Sequence, residues 1–392
     1  MISIISKKND SIGHFAGDQV LVDIAKRLEK VKPQGAVLAR LGGDEFVMLV
    51  EEAVIEQPLS ENIKELADLV VDTVKNPVVF SDVSYFISAS AGIVLYPDHG
   101  ATYEELMKNV DTAMYRSKND GKNQWLMFND QIKDEMNRLV LIESHLRHAF
   151  DYEEIHINFQ PLMNSQSNQI RGFETLMRWQ SHKFGAVPPD VFIPVLEQTG
   201  MIVEYGEWIL RKTVQSIKQW ENDGDNSLII SVNISLIQLK QESFPEQVKA
   251  IIQEADIEPA SLELEITESV LADDVEKITN VLHTLRLNGV RIALDDFGAG
   301  YSSLSYLRQF PLDTLKIDKT FSEDIESGIE SAQMIGSIID MAHNIGLEVV
   351  AEGIENSDQV SILKSCGCDY FQGFYFYKPM SKESAERLVR GW

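Results

Sequence analysis

Cysteine is nearly absent: the chain has two, Cys366 and Cys368. They are too few for a disulfide framework, and a C-x-C pair without further thiols or nearby histidines reads as two packing thiols. Long apolar runs are missing too. None approaches the roughly 18 residues that span a bilayer, and the amino terminus carries its charges, Lys7 and Lys8, after a very short apolar run. No signal peptide is expected, no insertion into a membrane, and a reducing cytoplasm is the compartment that fits. Basic residues are scarce: 35 Lys and Arg stand against 61 Asp and Glu, for a net charge of -26. That balance speaks against a nucleic acid polymer or an anionic membrane as partner. The deficit is uneven, with 13 basic against 19 acidic residues in 1–128 and 22 against 42 in 129–392. If the second part binds an anion, metal ions have to mediate it.

What remains is an ordinary globular composition, 392 residues with 44% hydrophobic and 24% charged, long enough for two domains. In residues 1–128, Val20, Leu21, Ile24, Ala25 and Leu28 recur at helical spacing before a Pro33-Gln34-Gly35 stop. Residues 36–41 and 46–50 read as strands joined by a Gly42-Gly43-Asp44-Glu45 hairpin. A helix over 61–75, a strand over 85–95 and a helix over 103–119 follow, which predicts an α+β domain with a mainly antiparallel sheet. The hairpin glycines let backbone approach a triphosphate, and Asp44 and Glu45 can hold Mg²⁺ or polarise a hydroxyl. Residues 129–155 form the join. Their partial apolar stripe suits a semi-rigid helix better than a loose tether.

From residue 156 to 392, short apolar strands alternate with helices, near 156–162, 170–178, 228–234, 261–266, 290–295, 313–317, 347–351 and 369–373. Eight such strands predict a (β/α)8 barrel, an α/β fold whose chemistry sits at the carboxyl ends of its strands. Those ends carry Glu174, Asn233, Glu265, Asp295 with Asp296, Lys316 with Asp318, Glu352 and Gln372. Each has a plain explanation alone: Asn233 could cap the helix near Ser235, Glu265 could be a solvated rim acid, and Lys316 could simply neutralise acids. Together, on that rim, they read as a site. Adjacent Asp295 and Asp296 repel one another, which a cation would offset. None of the eight histidines falls among these groups, so the donors are oxygens and suit Mg²⁺ or Mn²⁺ better than zinc.

The run Arg40-Leu41-Gly42-Gly43-Asp44-Glu45-Phe46 resembles the signature of the diguanylate cyclase (GGDEF) family, and flanking segments extend the likeness. These are Asn9-Asp10 with Gly13-His14-Phe15-Ala16-Gly17-Asp18, and Ala113-Met114-Tyr115-Arg116-Ser117-Lys118 with Lys122. The resemblance implies GTP binding, with Asn9 and Asp18 on guanine, Gly42, Gly43, Asp44 and Glu45 at the hairpin, and Lys118 and Lys122 on phosphate. That family's metal-binding strand acids would fall at about Met1 and Ser3, and its R-x-x-D product site at Pro33 and Ala36. The expectation is a domain truncated at its amino end, without cyclase activity, that regulates its neighbour.

Across residues 156–392, Glu174-Thr175-Leu176-Met177-Arg178-Trp179, Asn233-Ile234-Ser235, Glu265-Ile266-Thr267-Glu268, Asp295-Asp296-Phe297-Gly298, Leu315-Lys316-Ile317-Asp318, Ala351-Glu352-Gly353-Ile354-Glu355 and Gln372-Gly373-Phe374 resemble the EAL family of cyclic di-GMP phosphodiesterases. The resemblance implies hydrolysis of cyclic di-GMP to linear pGpG with two Mg²⁺ or Mn²⁺ ions. Glu174, Asn233, Glu265 and Asp295 would hold the first ion, and Asp295, Asp296 and Glu352 the second. Lys316 would orient water or stabilise developing charge, and Glu352 would serve as general base or only as ligand. Arg178 would clamp a phosphate, Gln372, Glu355, Asp318 and Gln160 would contact substrate, and Glu268 would anchor the loop after Asp296. Thr175 stands where Ala is usual and Ala299 where Thr is common; neither removes a ligand. A homodimer through the barrel is implied as well. The alternatives are a silent cyclic di-GMP receptor and a bifunctional cyclase and phosphodiesterase.

Overall fold

A computed structural model describes residues 1–6, 14–51, 59–80, 83–119, 123–224, 228–268, 275–298, 307–325 and 329–390. It divides into two units, Met1–Leu141 and Ile142–Trp392, and the helix Asp130–Leu146 contributes residues to each.

The first unit is a five-stranded sheet with helices His14–Val31, Leu59–Lys75 and Tyr103–Asn119. Its strands are β1 (Ile2–Ser6), β2 (Val37–Gly42), β3 (Glu45–Leu49), β6 (Ile87–Ile93) and β7 (Gln124–Met127), in the order β2-β3-β1-β6-β7; a separate hairpin is made of β4 (Val78–Phe80) and β5 (Val83–Tyr85). All pairings in the larger sheet are antiparallel except β6 with β7. The helical stripe expected around residues 20–28 is the buried one: Ile24 and Leu28 are fully covered and meet Phe46, Val70, Val74 and Ala89 in one core. β1 lies at the sheet's centre, with Ser3 paired to Glu45 and to Ser90. Gly43 turns the β2–β3 hairpin with φ 51°, a conformation that favours glycine.

In the second unit eight strands close into a barrel. They are β8 (Ile155–Asn164), β9 (Ile170–Ser181), β11 (Ile229–Asn233), β12 (Leu262–Thr267), β13 (Arg291–Phe297), β14 (Thr314–Ile317), β15 (Glu348–Ala351) and β16 (Tyr370–Phe371), with β10 (Gly185–Val187) appended to β9. From β9 to β16 every barrel pairing is parallel, whereas β8 runs antiparallel to both its neighbours. The reason is the short connection after β8. A parallel crossover needs a dozen or more residues, but here Asn164 Oδ1 accepts from the Gln166 and Ser167 amides at 3.0 and 2.9 Å and turns the chain straight back.

The barrel's interior is layered by charge. Toward the amino ends of the strands, Arg171 donates to both oxygens of Glu263 at 3.0 and 3.1 Å and to Glu348 at 3.1 Å. Arg291 donates to Glu263 at 3.1 Å and also to Glu348, Thr314 donates to Glu263 at 2.7 Å, and Tyr370 donates to Glu348 at 2.9 Å. Two arginines thus balance two glutamates. Toward the carboxyl ends the balance fails, and the candidate site lies there.

Candidate active site at the carboxyl ends of the barrel strands

Side chains two apart on a strand share a face, so β12 sends Glu263 and Glu265 to the same side, and β14 likewise sends Thr314 and Lys316. Lys316, 1% exposed, is the centre of the upper layer. Its Nζ donates to Glu265 Oε2 at 2.8 Å and to Glu352 Oε1 at 2.6 Å, and lies 3.3 Å from Asp295 Oδ1 and 3.6 Å from Glu174 Oε2. One ammonium therefore faces four carboxyl groups.

The electrostatics follow from that excess. Burial pushes the carboxyls of Glu265, Asp295 and Glu352 up, Glu352 to about 8, with repulsion among the acids adding to it and Lys316 opposing. Burial also raises half-buried Asp296, helped by Asp295 and Asp318. Glu174 goes the other way: Lys316 and the amides of Gln372 and Asn233 outweigh its burial and lower it. Lys316 is held firmly charged, its burial overcome by the surrounding acids.

The residues fit a divalent cation. Glu265 Oε1 is buried without a hydrogen bond, and Asp295, Asp296 and Glu352 each bring a carboxylate oxygen within 4.8 Å of the others. Asn233 donates Nδ2 to Glu174 Oε1 at 2.6 Å, which leaves its Oδ1 as the available donor atom. The helix Leu236–Leu239 is capped by Ser235, not by Asn233: Ser235 Oγ accepts from the Ile237 amide, in a capping box with Gln238. All donors are hard oxygens, and the surplus negative charge is what such an ion neutralises.

Around this centre, Gln372 donates to Glu174 Oε2 at 2.6 Å and to Gln160 Oε1 at 3.3 Å. Glu268 Oε2 accepts the Gly298 amide at 3.0 Å, just beyond Asp296, whose φ of 55° marks a strained turn. Arg178 is half-buried and donates Nη1 to the Met177 carbonyl at 2.8 Å. Asp318 caps the helix Lys319–Asp324 by accepting from the Thr320 amide at 3.0 Å, and Glu355 is exposed beside the helix Ser357–Ser365. The Tyr377 carbonyl, which holds Gln160 at 3.2 Å, is a participant that no local sequence pattern announces, because 217 residues separate the two.

In the first unit, Asp44 and Glu45 are at the hairpin, Asp18 is exposed on its helix and Lys118 is half-buried on another. Ser3 Oγ donates to Asp44 Oδ2 at 3.1 Å. Asn9 and Lys122, and Ala299 in the second unit, lie outside the described residues. Among the described residues no helix is long and apolar enough to cross a membrane.

Comparison with known proteins agrees with both units. The EAL domain family matches residues 143–379, and the family described as diguanylate cyclase, GGDEF domain, matches residues 5–124. Signaling protein YkoW of Bacillus subtilis is 36% identical over 97% of this chain and 47% of its own length. The bifunctional diguanylate cyclase/cyclic di-GMP phosphodiesterase MucR of Pseudomonas aeruginosa is 34% identical over 96% of this chain and 54% of its own. Cyclic di-GMP phosphodiesterase PdeR of Escherichia coli is 33% identical over 98% and 57%. The chain spans about half the length of these relatives. Among solved structures, the PaMucR phosphodiesterase in complex with c-di-GMP is 33% identical with a TM-score of 0.60, covering 62% of this chain and 99% of that one. A family match over more than half the sequence, on a barrel with this acidic rim, is decisive: the chain belongs to the EAL domain family, in the tandem form in which a GGDEF domain precedes the EAL domain.

Proposed function

We propose that this chain is a divalent-metal-dependent phosphodiesterase that hydrolyses cyclic di-GMP to linear pGpG, and that its GGDEF unit regulates this activity without cyclising GTP. The observation that carries the reading is the rim itself, where the buried carboxyls of Glu174, Glu265 and Asp295 and the half-buried one of Glu352 share one ammonium, and Glu265 keeps an oxygen without a partner. Glu174, Asn233, Glu265 and Asp295 would hold one Mg²⁺ or Mn²⁺, and Asp295, Asp296 and Glu352 a second. When bound, such ions supply Lewis acidity toward the phosphodiester and its attacking water.

The protein's own groups do the rest. Lys316, fixed between Glu265 and Glu352, presents a desolvated positive charge where the phosphoryl oxygens gain negative charge. Glu352 is engaged by Lys316 through Oε1, which leaves its Oε2 either as the ligand of the second ion or as the base for the attacking water. Arg178, with Nη1 on its neighbour's carbonyl, offers its remaining donors to the second phosphate. In the GGDEF unit, Asn9, Asp18, Gly42, Gly43, Asp44, Glu45, Lys118 and Lys122 would bind GTP. Ser3 meets Asp44 with a hydroxyl where a carboxylate would be needed to share a metal, which supports binding without cyclisation.

The test is incubation with cyclic di-GMP and Mg²⁺ or Mn²⁺. pGpG is expected, lost on adding EDTA and in Glu174→Ala, and labelled GTP yields no cyclic di-GMP. A protein that binds cyclic di-GMP in EDTA yet forms no pGpG with either metal is a silent receptor instead.

A further inference from the structure

Two glutamine amides beside the metal-facing carboxylates have only one consistent orientation, and Gln160 sets it. On β8, Gln160 stands opposite Glu174 of β9. Its side chain meets the Tyr377 carbonyl at 3.2 Å. A carbonyl can only accept, so Gln160 turns Nε2 toward it and Oε1 inward. Gln372 must then turn Nε2 toward that Oε1, at 3.3 Å, and the same Nε2 donates to Glu174 Oε2 at 2.6 Å. The flipped Gln372 would set its oxygen against two acceptors. Glu174 Oε1 is taken by Asn233 Nδ2 at 2.6 Å, so the carboxylate is gripped from both sides. Gln160, Glu174 and Gln372 are 8%, 6% and 5% exposed, too little for water to substitute freely for a lost partner. The far end is fixed as well: Phe159, next to Gln160, exchanges both backbone hydrogen bonds with Met380, at 2.8 and 2.9 Å. The carbonyl that orients Gln160 is therefore carried on a segment stitched to the same strand.

We propose that Gln160 is a positioning residue: acting through Gln372, it holds the Glu174 carboxylate in the orientation in which it ligates a divalent cation. This rests on the proposed role of Glu174 as a ligand, but not on the identity of the nucleotide. The relay runs from the Tyr377 carbonyl through two glutamine amides to the ligand, and it leaves Gln372 Oε1 buried and without a hydrogen bond. Outer partners of this kind are worth about tenfold to a hundredfold in metal affinity.

The experiment is a double-mutant cycle read by Mn²⁺ titration calorimetry on the full chain without nucleotide. Gln160→Met keeps the volume and removes the acceptor; Gln160→Ala replaces it in the cycle if melting shows that the Met variant does not fold. The expected result is about tenfold weaker Mn²⁺ binding in the Gln160 variant, and less than about a twofold further change when it is added to Gln372→Met. Unchanged Mn²⁺ affinity would overturn the proposal, since a Gln160 that only touches substrate predicts that. An equal loss in the presence and absence of Gln372 would overturn it too, because the effect would not pass through Gln372. A wild-type chain that titrates Mn²⁺ in this non-additive way yet forms no pGpG sinks the phosphodiesterase reading and leaves the relay standing.

Discussion

Glu263 and Glu265 share one face of β12, and Glu263 is closed by two arginines while Glu265 has a single lysine and an unpartnered oxygen. The same residue type, two positions apart and equally buried at 1% exposure, thus serves two ends. One layer is electrically complete and holds the barrel together. The other is left incomplete for a cation to finish.

The complete layer predicts a pH dependence of stability. Burial alone would raise Glu263, but Arg171 and then Arg291 and Thr314 bring its carboxyl from 4.5 down to about 2. A carboxyl lowered on folding contributes stability that is fully present above pH 4.5 and fades as pH falls toward 2. That contribution is on the order of 3 kcal/mol, and breaking a buried pair costs a similar amount. Glu263→Gln should therefore unfold at lower urea than wild type at about pH 7, with the gap closing between pH 4.5 and 2. A gap that stays constant over that range would show that the loss is one of packing.

The incomplete layer predicts the behaviour of Lys316→Met. Without the ammonium, Glu174, Glu265, Asp295 and Glu352 face one another unneutralised, which costs the metal-free protein about 3–5 kcal/mol. Mn²⁺ should then stabilise the variant more than it stabilises wild type, measured as the shift in urea midpoint between EDTA and Mn²⁺. Turnover in saturating Mn²⁺ should still fall by about 10²–10³, because the charge that offsets the transition state is gone.

The barrel is legible because its strands are short apolar runs that end in polar residues, so Glu174, Glu265, Asp295 and Lys316 can be placed on one rim from spacing alone. The reversed β8 is not, since apolar runs carry no sign of direction; only the length of the turn at residues 165–169 does. Asn233 reads as well as Ser235 for the helix cap, because both residue types cap helices and only the 2.6 Å contact to Glu174 separates them. Long-range closure is the least legible of all. Nothing local to Gln160 says that it meets Gln372 and the Tyr377 carbonyl, because those contacts arise only when the last strand folds back on the first.

The turn after β13 predicts a loss of activity with little loss of fold. Gly298 has φ 99°, where side chains are strained, and a Cβ there would lie 2.1 Å from the Phe321 ring. Its amide is the group that Glu268 holds. Gly298→Ala should lower kcat/KM by about 10²-fold through displacement of neighbouring Asp296, with far-ultraviolet circular dichroism retained. Glu268→Ala should lose less, and Glu268→Gln, which keeps an acceptor, should stay near wild type. Equal activity in all three variants would mean that this turn does not set the position of Asp296.

Ser3 carries the last prediction. It is fully buried at the centre of the first sheet, paired with Glu45 and donating to Asp44 at 3.1 Å. In Ser3→Asp a carboxylate is introduced at a fully buried position beside half-buried Asp44, and the unpaired charge costs about 3 kcal/mol. A divalent cation held between the introduced carboxylate and Asp44 would remove that cost. The melting temperature of the variant should therefore fall well below wild type in EDTA, and the gap should narrow in Mn²⁺; comparing the gap cancels any response of the barrel. Ser3→Ala, which loses one hydrogen bond and gains no charge, should lie about 1 kcal/mol below wild type in either condition. A Ser3→Asp gap that ignores Mn²⁺ would show that the hairpin acids do not form a metal site even when a third carboxylate is supplied.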